Sequence, residues 1–121
     1  MKIQISIDKL REILQVVNNI CSKKSDLNIL NYFYISADNN DYIFATDLEL
    51  NYQTRFPARI YKNGHVLIPA KQFERIIDNF YEEEVILEAK ENVLEIRGQK
   101  SFSTLPGLSY EEFPTFSEIN K

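Results

Sequence analysis

The chain repeats one pattern of apolar residues, and this repeat limits the folds that are open to it. In each copy an alternating apolar pair is followed by four apolar residues at helical spacing. The first copy contains Ile3, Ile5, Leu10, Ile13, Leu14 and Val17, and the second contains Val66, Ile68, Phe73, Ile76, Ile77 and Phe80. Each residue of the second copy follows its counterpart by 63 positions. Alternation of apolar and polar residues is typical of a half-buried strand. The i, i+3, i+4, i+7 spacing of apolar residues is typical of an amphipathic helix.

Each half of the chain predicts the element order β-α-β-β-β. In the first half we expect strands at 2–7, 32–37, 42–45 and 48–56, the last closed by Pro57. Asp8 is expected to cap the first helix, which ends near Ile20, and residues 21–28 are expected to form a loop. In the second half we expect strands at 66–68, 85–89, 93–97 and 101–105, and a helix with Pro69 in its first turn.

A pattern that occurs twice indicates pseudo-twofold symmetry rather than a solenoid, which needs more copies. We therefore expect an α+β fold, in which two helices lie side by side across antiparallel sheets around one core. Residues 1–121 are expected to form a single domain, with internal halves at about 1–62 and 63–116.

The composition excludes several classes of site. Cys21 and His65 are the only residues of their kinds, which leaves no internal disulfide and no multi-histidine metal centre. We expect Cys21 to be half-buried at a helix end and His65 to lie at the surface. The chain carries none of the common nucleotide-binding or nucleophile motifs, which disfavours an enzyme, and we expect no cofactor. It also contains no apolar run long enough to span a bilayer.

The outward faces of the two helices carry the polar residues that could bind a partner. On the second helix this face holds Lys71, Arg75 and Asp78, flanked by Glu74; on the first it holds Asp8, Glu12, Gln15 and Asn19, flanked by Arg11. The spacing on neither face indicates internal ion pairs. Lys23 and Lys24 in the following loop fit either a phosphate contact or a soluble, flexible loop.

Five segments together resemble the N-terminal domain of the bacterial DNA polymerase III beta subunit, the sliding clamp. They are the opening M-K-I-x-I-x-x-x-x-L, then 27–30, 45–49, 68–71, and 105–108 with 112–114. The resemblance covers essentially the whole chain. It implies the DNA-clamp fold and a processivity factor of replication: three such domains per chain, and two chains closed head to tail around double-stranded DNA. The ring itself has no catalytic activity.

The resemblance also implies roles for particular residues. By position, Lys24 and Lys71 fall where the family has basic residues. We expect weak, sequence-independent DNA contacts from them and from Arg75, which lies on the same outward face by the angle count, joined by Lys23 and, secondarily, Arg11. In the family the outward face of the first helix usually carries lysines, whereas here it is acidic. Phe102, Thr104 and Gln72 fall near the edge that would meet the other subunit. DNA polymerase and clamp loader would dock on domains absent from this chain. The resemblance also implies that the protein acts in the bacterial cytoplasm.

The charge keeps a second interpretation open. Fourteen basic residues against eighteen acidic ones leave a formal net charge of −4, whereas small DNA-binding modules usually carry an excess of Lys and Arg. A small acidic α+β protein-interaction domain with no DNA role would explain this balance directly. Continuation of the reading frame into further β-α-β-β-β pairs would favour the clamp instead.

Overall fold

A computed structural model of the chain describes residues 1–21, 31–38, 41–46 and 51–107. Within these ranges the chain forms two helices and nine strands. In chain order they are β1 (Lys2–Ser6), α1 (Ile7–Cys21), β2 (Tyr32–Ala37), β3 (Asp41–Thr46), β4 (Asn51–Arg55), β5 (Ala58–Lys62), β6 (His65–Pro69), α2 (Ala70–Asp78), β7 (Glu84–Lys90), β8 (Val93–Arg97) and β9 (Phe102–Pro106). No helix among these residues is long and apolar enough to cross a membrane.

The strands form two antiparallel sheets, and the first strand of each half of the chain pairs with a strand of the other half. Sheet A has the order β5-β1-β7-β8-β9, and sheet B has the order β4-β3-β2-β6. β1 belongs to the first half of the chain but pairs with β7, where Ile3 faces Leu87. β6 belongs to the second half but pairs with β2, where Ile68 faces Phe33. Each sheet therefore draws strands from both halves.

One hydrophobic core fills the space between the helices and the sheets. The strand and helix residues of both apolar repeats lie in it, and only Ile76 among them is partly exposed. α1 contacts β1 of sheet A together with β2 and β3 of sheet B, and α2 contacts β6 and β9. The rings of Phe33 and Phe73 lie with their centroids 5.8 Å apart, joining sheet B to α2. The predicted α+β architecture with adjacent helices is confirmed.

The ends of α1 differ from the sequence prediction. The strand stops at Ser6, and the Ser6 hydroxyl accepts a hydrogen bond from the Lys9 N–H at 3.3 Å, so Ser6 caps the helix and Asp8 lies within its first turn. Cys21 is the last helical residue and is only 2% exposed, not half-buried. Its thiol lies 3.6 Å from the Tyr32 carbonyl oxygen. The rest of the predicted loop lies outside the described residues.

Strand β5 is absent from the sequence prediction. It follows Pro57 directly and pairs with β1, where Ile60 faces Ile3 and Ala58 faces Ile5. The preceding strand was expected over 48–56, whereas the described strand is β4, and 47–50 lie outside the described residues. At the second helix, Pro69 is the N-cap residue rather than part of the first turn, and α2 ends at Asp78.

Candidate nucleic-acid interface

The two helices lie antiparallel, and an open groove of about 680 Å³ separates them at one end. The C-terminal half of α1 and the N-terminal half of α2 form its walls. The lining residues are Gln15, Asn18, Asn19, Lys71, Glu74 and Arg75. α1 thus contributes three amide side chains, and α2 contributes two cations and one carboxylate. All of them except Asn18 belong to the outward helix faces expected from the sequence.

Lys71 and Arg75 are the cations best placed to meet an anion in this groove. Both side chains are exposed, and neither forms an ion pair with another described residue. Lys71 lies in the first turn of α2, where Pro69 supplies no side-chain cap and no acidic residue is present. The positive end of the helix dipole therefore adds to the charge of Lys71.

The N-terminal half of α1 neutralises its own charges. Lys9 Nζ lies 3.7 Å from Glu12 Oε1, and Arg11 Nη1 lies 3.9 Å from Asp8 Oδ1. Both pairs join residues three apart, so the prediction of no internal ion pairs on this face is wrong. Exposed pairs of this kind stabilise a helix only slightly, but they reduce the net field of the face.

Arg11, expected as a secondary DNA contact, is directed toward α2 in the structure. Its Nη2 donates to the Phe80 carbonyl oxygen at 2.8 Å and to the Ile77 carbonyl oxygen at 3.4 Å. Lys23 and Lys24 lie outside the described residues. Of the five expected DNA contacts, the structure places Lys71 and Arg75 in one groove, with Arg11 at the other end of the helix pair.

Two of the three predicted subunit-contact residues lie on β9, which is at an edge of sheet A. Phe102 and Thr104 are both exposed on the outer face, where Phe102 faces Arg97 and Thr104 faces Glu95 in the register with β8. The Phe102 side chain is 60% exposed. Gln72 is exposed on α2, which itself contacts β9.

Sequence reasoning missed a charge network beside this edge. Arg97 lies 3.3 Å from Glu88 Oε1, also bonds Glu95, and places its guanidinium 5.8 Å from the Phe102 ring centroid. Hydrogen bonding from Arg97 lowers the pKa of Glu95 from its ordinary value. Glu88 on β7, and Glu95 and Arg97 on β8, alternate with buried apolar residues of the same strands. This alternation was a sequence signal that the three charged side chains share the outer face of the sheet.

A second missed feature is the way in which Glu82 holds the turn before β9. The Lys100 N–H donates to Glu82 Oε1 at 3.2 Å, and this backbone hydrogen bond lowers the pKa of the carboxyl. A Cβ on Gly98 would lie only 2.6 Å from the same oxygen, so a larger residue there would displace the Glu82 carboxylate. The turn and the 81–84 connection border a cavity of about 880 Å³.

Comparisons with known proteins extend over almost the whole chain. Residues 1–117 match the family described as DNA polymerase III beta subunit, N-terminal domain. The beta sliding clamp of Chlamydia muridarum is 26% identical over 121 residues, covering 98% of this chain and 33% of that protein. The chain therefore spans about a third of the length of this curated relative.

Two solved structures share the fold. A DNA polymerase III beta subunit from Eubacterium rectale superposes with a TM-score of 0.86 at 24% identity, covering 93% of this chain and 32% of its own. The Helicobacter pylori beta clamp, solved with a DNA ligase peptide bound, superposes with a TM-score of 0.80 at 27% identity, covering 94% and 32%. Both likenesses include the paired helices and the two sheets.

Proposed function

This chain belongs to the family of DNA polymerase III beta subunits, whose N-terminal domain it matches, and from that membership we propose that it forms one domain of a sliding clamp. The clamp encircles duplex DNA and tethers the replicative polymerase in the bacterial cytoplasm. The observation that carries the proposal is the pair of antiparallel helices with Lys71 and Arg75 exposed on one open face. The role is topological, and we propose no catalytic activity for it.

The proposed DNA contact is weak and independent of sequence. Lys71 and Arg75 can each neutralise a phosphate, while Gln15 and Asn19 of α1 can only donate hydrogen bonds to oxygens of the DNA backbone. Asn18 Nδ2 already donates to the Leu14 carbonyl oxygen at 3.1 Å. Glu74 between the two cations opposes close binding, and the charges of Lys9 and Arg11 are offset locally by Glu12 and Asp8. Lys23 and Lys24 remain proposed contacts by position. A ring held on DNA by closure needs no higher affinity from this wall.

The open edge of sheet A is the proposed subunit contact. β9 pairs only with β8 among the described strands, so its other edge presents backbone groups to a partner strand. Phe102 offers an apolar side chain at that edge, with Thr104 two residues further and Gln72 on the neighbouring helix. A head-to-tail contact with a second full-length chain would close the ring. The polymerase and clamp loader are proposed to dock on domains outside this sequence.

The salt dependence of DNA binding tests the helix contact. In the protein at its natural length, replacing both Lys71 and Arg75 by Ala should reduce the salt slope of duplex binding by up to about 1.8, since each phosphate contact contributes about 0.9. Arg59→Ala is the matched control, because Arg59 is an exposed cation on β5 in sheet A. An unchanged slope in the double variant would overturn the proposed contact.

Retention on circular DNA tests the clamp itself. The natural-length protein, loaded on a nicked circle, should stay bound at a salt concentration that removes it from a linear duplex of the same sequence. Phe102→Ser should weaken self-association in sedimentation experiments, whereas Tyr61→Ser changes an exposed aromatic residue at the opposite edge and should not. Equal retention on circular and linear DNA would contradict the proposed function.

A further inference from the structure

Arg11 joins the two helices at the end opposite the groove. Its guanidinium reaches from α1 to two carbonyl oxygens near the C-terminus of α2, those of Ile77 and Phe80. These bonds connect residues 66 and 69 positions apart. The side chain is 38% exposed, so it lies partly covered between the helices rather than extended into solvent.

The chemistry of this helix end suits a guanidinium. α2 ends at Asp78, and Asn79 and Phe80 close its last turn through N–H bonds to Ile76 and Ile77 carbonyl oxygens at 3.1 and 3.0 Å. The last carbonyls of a helix lack partners of their own and carry the negative end of its dipole. Arg11 Nη2 donates to the Ile77 carbonyl oxygen, which also accepts from the Phe80 N–H, and to the Phe80 carbonyl oxygen just beyond the helix. A lysine side chain is one bond shorter and carries a compact ammonium, so it reaches both oxygens less well.

The second half of the repeat contains no counterpart of this arginine. The residue that follows Arg11 by 63 positions is Glu74, which cannot donate to carbonyl oxygens at the end of α1. Glu74 lines the open groove instead, beside Asn18 and Lys71. The helix pair is thus joined by a charged side chain at one end and separated by a groove at the other.

We propose that Arg11 is a positioning residue, which fixes the C-terminal end of α2 against α1 and thereby sets how far the two walls of the groove stand apart. This inference rests on the proposed function, because it assigns Arg11 to the geometry of the DNA-facing wall and not to a phosphate. To reach DNA with Nη2, Arg11 would give up its hydrogen bonds to both carbonyl oxygens, and its Nη1 lies beside Asp8.

Hydrogen exchange and salt dependence together test the proposal in the natural-length protein. Arg11→Met keeps much of the side-chain length without the charge, and Arg11→Lys keeps the charge on a side chain that is one bond shorter. Both should speed exchange in peptides covering 76–81 by roughly five-fold or more, because the bonds that close this helix end lose their support. Both should weaken binding to a duplex oligonucleotide while leaving its salt slope unchanged.

Lys9→Met is the matched control, since Lys9 is also 38% exposed on α1 but pairs with Glu12 on its own helix. It should leave exchange at 76–81 unchanged. Normal exchange in Arg11→Met, or full rescue by Arg11→Lys, would overturn the proposal, as would a salt slope lower by about 0.9, the value for one lost phosphate contact. If circular and linear DNA retain the protein equally, the proposed function fails, but the exchange result still decides whether Arg11 holds the helices.

Discussion

Glu91 is a residue whose backbone conformation does not suit its side chain. It is the first residue of the two-residue turn between β7 and β8, and its φ is +57°. A side chain in this left-handed region costs about 1–2 kcal/mol, whereas glycine adopts it freely. Glu91→Gly should therefore raise the free energy of unfolding by about 1 kcal/mol.

Urea unfolding of the 121-residue chain measures this difference. Asn92→Gly is the control in the same turn, because Asn92 has no positive φ to relieve and glycine there adds only unfolded-state entropy. It should be neutral or slightly destabilising. If both substitutions stabilised the chain equally, the cause would be the flexibility of the turn and not the positive φ of Glu91.

Gly64 shows the opposite case, in which the residue fits a restricted position. Its φ is +154°, and a Cβ there would lie 2.7 Å from the Met1 nitrogen. Gly64→Ala should lower the free energy of unfolding by about 1–3 kcal/mol, through strain and displacement of the first residue. Thermal unfolding followed by circular dichroism measures the loss. A midpoint equal to that of the unchanged chain would show that the β5–β6 turn adapts without cost.

Residue roles were harder to predict from the sequence than residue positions. Ser6 and Asp8 are both good N-cap residues, and periodicity does not decide between them; the strand end at Ser6 does. The outward position of Arg11 was predictable by counting angles along the helix. Its bonds to Ile77 and Phe80 were not, because they depend on where a second helix ends in space.

At the scale of elements, the Glu82 carboxylate supports the turn between β8 and β9, which the Gly98 N–H also closes by donating to the Ser101 carbonyl oxygen at 2.8 Å. The Lys100 N–H lowers the pKa of Glu82, so this contribution to stability is complete above the unfolded-state pKa and is lost as pH falls through the lower folded-state value. Glu82→Gln should therefore lower the thermal midpoint at pH 7. The difference from the unchanged chain should shrink as pH falls below about 4.

Thermal unfolding across this pH range is the measurement, and Glu83→Gln is the control. Glu83 is an exposed neighbour whose substitution removes the same charge, and it should shift the midpoint little at either pH. Glu95 also has a lowered pKa, but its titration is common to all the variants and cancels in the difference. A difference that did not depend on pH would show that the carboxylate charge of Glu82 does not hold the turn.

Elements with strong apolar periodicity were predictable from the sequence, whereas the edge strand β5, whose apolar pattern is short, was not. The stripes that start at Leu10 and Phe73 have four buried or partly buried members each, which is enough to establish a helix from sequence. β5 has only Ala58 and Ile60 on its inner face, and both are partly exposed. Its position after Pro57 and its short alternation were the available signals for an edge strand.

The exchange of β1 and β6 between the sheets lies at the scale of the whole molecule. Alternation predicts which face of a strand is buried, but not which strand it pairs with, so the repeat alone could not reveal the exchange. Its consequence is that neither half has a complete sheet. Without β7, the buried residues Ile3 and Ile5 of β1 lose one of their two partner strands, and without β6 one edge of β2 is exposed.

We therefore expect the two halves to fold only together, as one cooperative domain. Fragments 1–62 and 63–121 should each lack a cooperative thermal transition by circular dichroism, because an isolated half cannot bury its apolar strand faces. Mixed in equal amounts, they should recover the spectrum of the intact chain, since β1 and β6 can then pair across the cut. A cooperative transition in either fragment alone would mean that the exchanged strand is not needed, and that each half is a domain in its own right.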